Sequence, residues 1–348
     1  MKKILHVCSD EKFIDSAIAN FNAISHVKSD FLVISKESSL EYIKNKNVTI
    51  KSKSAFLLQI LIGRLKEYDA VVFHSLNGVF KFFIKLIPKR LNICWVGFGF
   101  DYYDYNKILP GRKEEKKGLR YFIKYSIFNL DASYQKINYF CPVLESEFEE
   151  VSKRLRLNAQ YVDWNYGSSD KVVKKLKHDY IDGDSILLGN SATETNNHLE
   201  IIDDLVKLNE KREIIVPLSY GDSEYAEKII AKLKSTSLNY TILRDFLTQE
   251  EYFSTLKRCA FVIMNHKRQE AAGNVLIMLS LGAKVFLDKD NPLYDYFKCM
   301  GFRLFNKENL NFDCISMDDM GINKSLSLKF FNSEVTIKKT KSLVDKLV

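Results

Sequence analysis

Arg268 is the residue whose type and neighbours most invite chemistry. It lies in FVIMNHKRQEAAGNVLIMLSLGA (residues 261–283), where an apolar run ends in Asn265, His266, Lys267, Arg268 and Gln269 and an apolar helical pattern opens at Gly273 and Asn274. Two cations, an imidazole and the positive end of a helix at one point are what a diphosphate requires. The competing reading is a solvated basic loop.

A second run, LLGNSATETNNHLEI (residues 187–201), brings Asn190, Ser191, Thr193, Thr195, Asn196 and Asn197 to the start of another helical pattern. Unpaired N–H groups at a helix N-terminus suit a phosphate, and the side chains suit sugar hydroxyls. Alternatively, Thr195 or Asn196 does no more than cap the helix. His198, on the first turn, is expected to be a surface or packing residue. VPLSYGDSEYAEKI (residues 216–229) repeats the arrangement with Ser219, Tyr220 and Gly221. There Gly221 allows close backbone approach to a ligand, unless it serves an ordinary turn.

In the first half, WVGFGFDYYDY (residues 95–105) sets Asp101 and Asp104 among aromatic rings, and His74 ends a neighbouring apolar run. Ring faces stack on the C–H groups of a pyranose and a carboxylate takes a hydroxyl proton. A core tryptophan followed by a surface turn is the alternative. His6 sits within an apolar run and reads as core. Asp182-x-Asp184 and Asp288-x-Asp290 match a short metal-binding pattern, but converging oxygen ligands are lacking and Asp288 is followed by the turn pair Asn-Pro, so no metal site is expected.

Elements of one kind must position all of these groups. KILHVC, DFLVIS, AVVFHSL and LNICWVGFG read as strands, separated by the helical patterns AIANFNAI, FLLQILIGRLKEY and VFKFFIKLI. The second half continues with SILLGN, REIIVPLSYG, NYTILRDF, CAFVIMNH and KVFLDKD as strands. Helical stretches alternate with them, one opened by the capping box Thr248-x-x-Glu251. Such alternation implies parallel sheets with crossover helices, and ligands of such sheets bind beyond the carboxyl ends of the strands. Every candidate above except Asp182 and Asp184, which precede a strand, and His6 follows or ends one.

The length, 348 residues, favours two domains. The weakly periodic stretch 161–184 separates them, giving an α/β protein of two Rossmann-like, doubly wound domains facing across a cleft: residues 1–175, and residues 176–348 with a last helix able to return to the first domain. Six scattered cysteines without CxxC fit a reducing cytosol. The N-terminus lacks a signal-peptide core, and AFLLQILIG falls far short of the roughly 20 residues needed to span a bilayer. A net charge of +8 attracts phosphorylated ligands or an anionic membrane surface. No nucleic-acid-binding motif accompanies it, so no nucleic acid is expected. Two basic amphipathic stretches, residues 78–90 and 112–125, are membrane candidates. The second is the better one, crowded by Lys113, Lys116, Lys117, Arg120 and Lys124, whereas the first reads as a crossover helix.

LLGNSATETNNHLE, VPLSYGD, NHKRQEAAGNVLIMLSLGAKVFL and the earlier tryptophan-glycine-aspartate-tyrosine run together resemble the 4-acetamido-4,6-dideoxy-D-galactosyltransferase family, glycosyltransferase family 56. The resemblance implies a GT-B fold and metal-independent, cofactor-free transfer of N-acetylfucosamine from a dTDP donor to a polyprenyl-diphosphate-linked saccharide. The setting it implies is enterobacterial common antigen or O-antigen synthesis, peripherally attached to the cytoplasmic face of the inner membrane. It also implies a donor site of Asn190, Ser191, Thr195, Asn196, Asn197, Tyr220, Gly221, His266, Arg268, Gln269, Gly273 and Asn274. Ser219 and Asn265 join these from their own positions. Arg268 is then expected to stabilise the departing diphosphate, and Asp101, or failing that His74, to accept the acceptor's proton. The first domain would bind the acceptor and the second the nucleotide sugar. A nucleotide-sugar epimerase or hydrolase of the same fold, or a non-catalytic protein of the membrane surface, stays open beside this reading.

Overall fold

The computed structural model describes residues 1–103, 130–167 and 180–348. Asp104, the basic stretch 112–125 and the expected division at 175/176 lie outside the described residues. The chain forms two compact units, Met1–Gly167 with Ser333–Val348, and Ser168–Asn332.

The first unit is built on a parallel sheet of seven strands, in the order β3-β2-β1-β4-β5-β6-β7. They are β1 (Lys2–Cys8), β2 (Val27–Ile34), β3 (Val48–Lys51), β4 (Ala70–His74), β5 (Asn92–Val96), β6 (Tyr139–Cys141) and β7 (Gln160–Tyr161). Because side chains alternate across a sheet, a strand buried on both faces must be apolar throughout. In β1, Leu5 and Val7 join Val71, Phe73 and Trp95 on one face, under α2 (Lys53–Leu61) and α3 (Gly78–Leu86). Ile4 and Cys8 join Val72, Cys94 and Val96 on the other, against α1 (Ile14–Asn22) and the chain's last helix (Ser333–Leu347), which buries Leu343, Val344 and Leu347 there. Phe80, Phe83 and Ile84 of α3 are buried, so the stretch 78–90 packs as a crossover helix. The helical pattern of residues 56–68 does not run through: Gly63, at φ +75°, ends α2, and a short 3-10 turn, Arg64–Glu67, follows. A left-handed residue of this kind is how helices commonly stop.

The second unit carries a parallel sheet of six strands, ordered β10-β9-β8-β11-β12-β13. These are β8 (Ser185–Leu188), β9 (Ile214–Pro217), β10 (Tyr240–Leu243), β11 (Cys259–Met264), β12 (Lys284–Leu287) and β13 (Phe305–Asn306). Past a fourth helix, α4 (Glu147–Leu155), come α5 (His198–Lys207), α6 (Ser223–Lys234), α7 (Gln249–Lys257), α8 (Ala272–Leu281), α9 (Pro292–Cys299) and α10 (Met317–Phe330). The Thr248/Glu251 capping box opens α7. Every residue from Val275 to Leu281 of α8 is buried, which a helix packed between a sheet and α10 requires. In each sheet the strand order reverses once, at β1/β4 and at β8/β11. A reversal leaves a crevice at the carboxyl edge, the usual ligand position in open parallel sheets.

Candidate active site

In the second unit the loops leaving β8 and β11 meet at the reversal, since Leu188 is paired with Ile263. Gly189 begins the first loop at φ +67°; a Cβ there would come within 2.3 Å of His198 Nε2 and 2.9 Å of Asn196 Oδ1, so only glycine fits. Asn196 is the hub. Its Oδ1 accepts the Asn190 backbone N–H at 3.0 Å and lies 2.9 Å from His266 Nε2. Its Nδ2 donates to Glu270 Oε2 at 3.2 Å, while Thr195 Oγ1 donates to Glu270 Oε1 at 2.7 Å. Arg268 closes the group by donating from Nε to the same carboxylate. Asn197 Nδ2 donates to the Asn265 carbonyl at 3.0 Å, and Asn265 Nδ2 donates to Glu200 Oε2 at 3.0 Å. Ser191 is buried and shares a hydrogen bond with Thr193 at 2.9 Å.

These side chains do not cap helices. Asn197 occupies the cap of α5 at φ +48° and Ala271 that of α8 at φ +57°, neither with a side-chain cap bond. The simple capping role for Thr195 or Asn196 is therefore replaced by a network that ties two loops together. Left-handed backbone at a non-glycine residue costs about 1–3 kcal/mol and tends to cluster where ligands are held. A Cβ on Gly273, one residue into α8, would meet no atom within 4 Å, so that helix start is open. Three buried amide atoms of the loops have no hydrogen-bond partner among the described residues: Asn190 Oδ1, Asn265 Oδ1 and Gln269 Nε2.

The electrostatics correct the picture of two cations and an imidazole. His266 is fully buried, and burial, aided by the charge of Arg268, pulls it down to about 3 against a backbone hydrogen bond to Glu270, so it is neutral at neutral pH. Lys267 pairs with Asp288. Burial raises the Asp288 carboxyl, but that pairing, the Asp290 N–H and Lys307 outweigh it and hold it below the usual carboxylate range. Arg268, only 5% exposed, is a buried cation at the crossing, paired with Glu270 as Lys267 is with Asp288. Glu270 was not singled out from the sequence, although an acid inside a basic run was the available signal.

The loop after β9 is placed alongside. Tyr220 is 44% exposed, and its hydroxyl accepts from Asn190 Nδ2 at 2.9 Å; Ser219 beside it is half-buried. Gly221, at φ +118°, does admit a close approach, but of the chain itself: a Cβ would lie 2.6 Å from the Ala192 carbonyl. Hydrogen bonds from Ala192 N to Tyr220 O and from Asp222 N to Ala192 O clasp the two loops at 2.8 Å each. The role expected for Gly221 toward a ligand passes to this clasp. Asn274 hydrogen-bonds the Tyr252 hydroxyl. His198 is fully buried, which excludes a surface role. Asp182 and Asp184 are exposed, and among the described residues no group of His, Cys, Asp and Glu is arranged to hold a metal ion.

The carboxyl edge of the first unit differs. His74 is fully buried, with Nε2 3.1 Å from His6 Nδ1 and Nδ1 2.6 Å from the Tyr166 hydroxyl, and burial pulls it down to about 3. Asp101 Oδ2 accepts the Leu76 N–H at 2.9 Å and the Trp95 indole N–H at 2.8 Å, and Oδ1 accepts the Phe98 N–H at 2.9 Å. Burial raises the Asp101 carboxyl above its ordinary value, with those donors pulling the other way. Both groups expected to take a proton from the acceptor have their lone pairs in use, and both brace the fold. Trp95 is a core residue, as the alternative reading had it.

Residues 6–343 match the family described as 4-alpha-L-fucosyltransferase, glycosyl transferase group 56. Among solved structures, a glycosyltransferase from Rickettsia africae ESF-5 is 11% identical with a TM-score of 0.65, covering 99% of this chain and 98% of its own. The sucrose-phosphate synthase of Thermosynechococcus elongatus is 8% identical with a TM-score of 0.64, covering 100% and 99%. HepE of Anabaena, solved in complex with UDP and glucose, is 12% identical with a TM-score of 0.64, covering 100% of both chains. At such identities the likeness is one of fold, and the fold is that of the GT-B glycosyltransferases.

Proposed function

The chain belongs to glycosyl transferase group 56, and on that premise we propose that it moves a deoxy-amino sugar of the N-acetylfucosamine kind from a dTDP donor to a polyprenyl-diphosphate-linked saccharide. The observation that carries the donor half is the crossing of the β8 and β11 loops. Buried amide atoms without partners, the open start of α8 and the buried guanidinium of Arg268 collect there. A buried polar group left unpaired costs about 1–3 kcal/mol, a cost that a polar ligand removes. The diphosphate would lie at the start of α8 near Gly273, with Arg268 balancing the charge that grows as the glycosidic bond breaks. Asn190, Ser191, Thr195, Asn196, Asn197, Ser219, Tyr220, Asn265, His266, Gln269 and Asn274 would shape the pocket for the sugar and nucleoside. Neutral His266 contributes hydrogen bonding, and Glu270 holds Arg268 in place.

The first unit would bind the acceptor. Among the described residues no helix is long and apolar enough to cross a membrane. The net charge of +8 supports peripheral contact with anionic lipid at the cytoplasmic face of the bacterial inner membrane, where surface polysaccharide such as enterobacterial common antigen or O-antigen is assembled. Incubation with a panel of nucleotide sugars and a polyprenyl-diphosphate saccharide tests this reading. Transfer from a dTDP-linked deoxy-amino sugar is expected, and transfer only from other nucleotides, or none, would overturn it.

A further inference from the structure

At the reversal of the seven-stranded sheet, the loop leaving β1 carries Asp10, Glu11 and Phe13 into α1. Several titratable side chains stand at this edge, and Asp10, Asp101 and His74 among them are occupied. Asp10 accepts the backbone N–H groups of Glu41, Tyr42 and Ile43, at 2.5, 3.2 and 3.0 Å. Asp101 is held by Leu76, Trp95 and Phe98, and His74 by His6 and Tyr166. The half-buried Glu11 makes no side-chain hydrogen bond or ion pair among the described residues, while its backbone carbonyl accepts the Ile14 N–H.

Aromatic rings stand at the same edge of the sheet. Phe13 is 54% exposed and Phe100 50%. The Phe13 ring lies 5.6 Å from Tyr166 and 6.1 Å from Phe98, and Phe98 lies 5.1 Å from Tyr166 and 5.8 Å from Phe100. Glu11 stands two residues before Phe13 on the loop from β1 to α1, and burial first, with the charge of Glu11 among the lesser causes, pushes the Tyr166 phenol upward. Exposed aromatic faces beside an unengaged carboxylate suit a saccharide: the faces take its C–H groups and the acid takes a hydroxyl.

We propose that Glu11, with Phe13, Phe98 and Phe100, forms an acceptor-saccharide subsite in which the Glu11 carboxylate takes the proton of the reacting hydroxyl. The assignment rests on the transfer reaction proposed above. The acceptor oxygen bonds to C1 of the donor sugar as the bond from C1 to the diphosphate oxygen breaks. The electron pair of that bond leaves with the nucleoside diphosphate, and the acceptor's proton passes to a Glu11 oxygen and then to solvent. Burial, followed by the neighbouring charge of Asp10, raises Glu11 above the ordinary glutamate range, while Lys12 pulls it down. That direction suits a base working near neutral pH. The charge of Glu11 also reaches Cys8 on β1, Tyr42 after β2 and Tyr166; burial above all pushes the Cys8 thiol and the Tyr166 phenol upward, and the hydrogen bond to Glu41 the Tyr42 phenol, away from an acidic limb.

The test uses the full chain with dTDP-N-acetylfucosamine, a polyprenyl-diphosphate disaccharide and three variants. Glu11→Gln should lower kcat by about 100-fold or more and remove the acidic limb of the pH–rate profile, with donor affinity unchanged by calorimetry. Glu11→Asp should recover part of kcat together with that limb, and Phe13→Ala should raise the acceptor KM more than it lowers kcat. Glu11→Gln within about threefold of wild-type kcat, its acidic limb intact, overturns this inference alone. Absence of transfer by the wild-type protein overturns the proposed reaction and this assignment with it.

Discussion

The two sheets reverse at their centres in the same way, yet their carboxyl edges are furnished with opposite chemistry. At β8/β11 the side chains are amides and hydroxyls gathered around the ion pair of Arg268 with Glu270, with the pair of Lys267 and Asp288 beside it. At β1/β4 they are rings, the buried imidazole of His74 on that of His6, and Glu11, whose carboxylate has no side-chain partner among the described residues. A polar network largely held in place by its own hydrogen bonds would meet a charged ligand with little reorganisation as charge develops. Exposed aromatic faces suit a neutral saccharide that must bind and leave. On the proposed function, one scaffold would serve two recognition problems, separated by the few residues after each strand.

The largest expected effect touches both edges alike. His74, His198 and His266 are each pulled down to about 3, chiefly by burial. Their ordinary value is about 6.5, so below that the unfolded chain takes up protons that the folded one refuses. The stability they contribute is whole above about pH 6.5 and is lost as pH falls toward 3, at about 4 kcal/mol per pH unit once all three titrate. Denaturant melts between pH 7 and 5 measure it, and a flat profile would show these rings to be accessible.

The next separates the edges. Glu270→Ala leaves the buried Arg268 without its carboxylate, and breaking such a pair costs about 3–5 kcal/mol. It should weaken nucleotide binding along with stability, read by calorimetry and thermal melts. Arg268→Ala should lower kcat by about 100-fold, close to 3 kcal/mol of transition-state stabilisation. Wild-type turnover in that variant would remove its leaving-group role. Asp101→Asn, at the other edge, sets an NH2 against the Leu76, Trp95 and Phe98 donors. It should cost about 2 kcal/mol of stability while leaving nucleotide affinity unchanged.

Both sheets were legible because β1, β8, β11 and β12 are buried on two faces and must read as unbroken apolar runs. The missing strands, VTIK, YFC, QY and FN, are two to four residues long and are defined by a neighbour's backbone rather than by their own pattern. Most of the polar residues at the second edge were named from the sequence, since position after a strand is a local property. What they do was not local. Glu270 meets Thr195 only because β8 and β11 are neighbours, and Gly221 meets Ala192 only because β8 and β9 are. The charge states of His266 and Asp101 likewise follow from what surrounds them in three dimensions. Glu11 escaped notice because an acid beside another acid at a loop resembles a solvated turn, until its neighbours prove to be occupied.

Titration of dTDP into the protein by calorimetry tests the central claim, that the loops after β8 and β11 hold the donor's diphosphate. The account predicts saturable binding that Arg268→Ala weakens by about tenfold or more and Glu11→Gln leaves unchanged. Absence of binding, or equal affinity in wild type and Arg268→Ala, would contradict it.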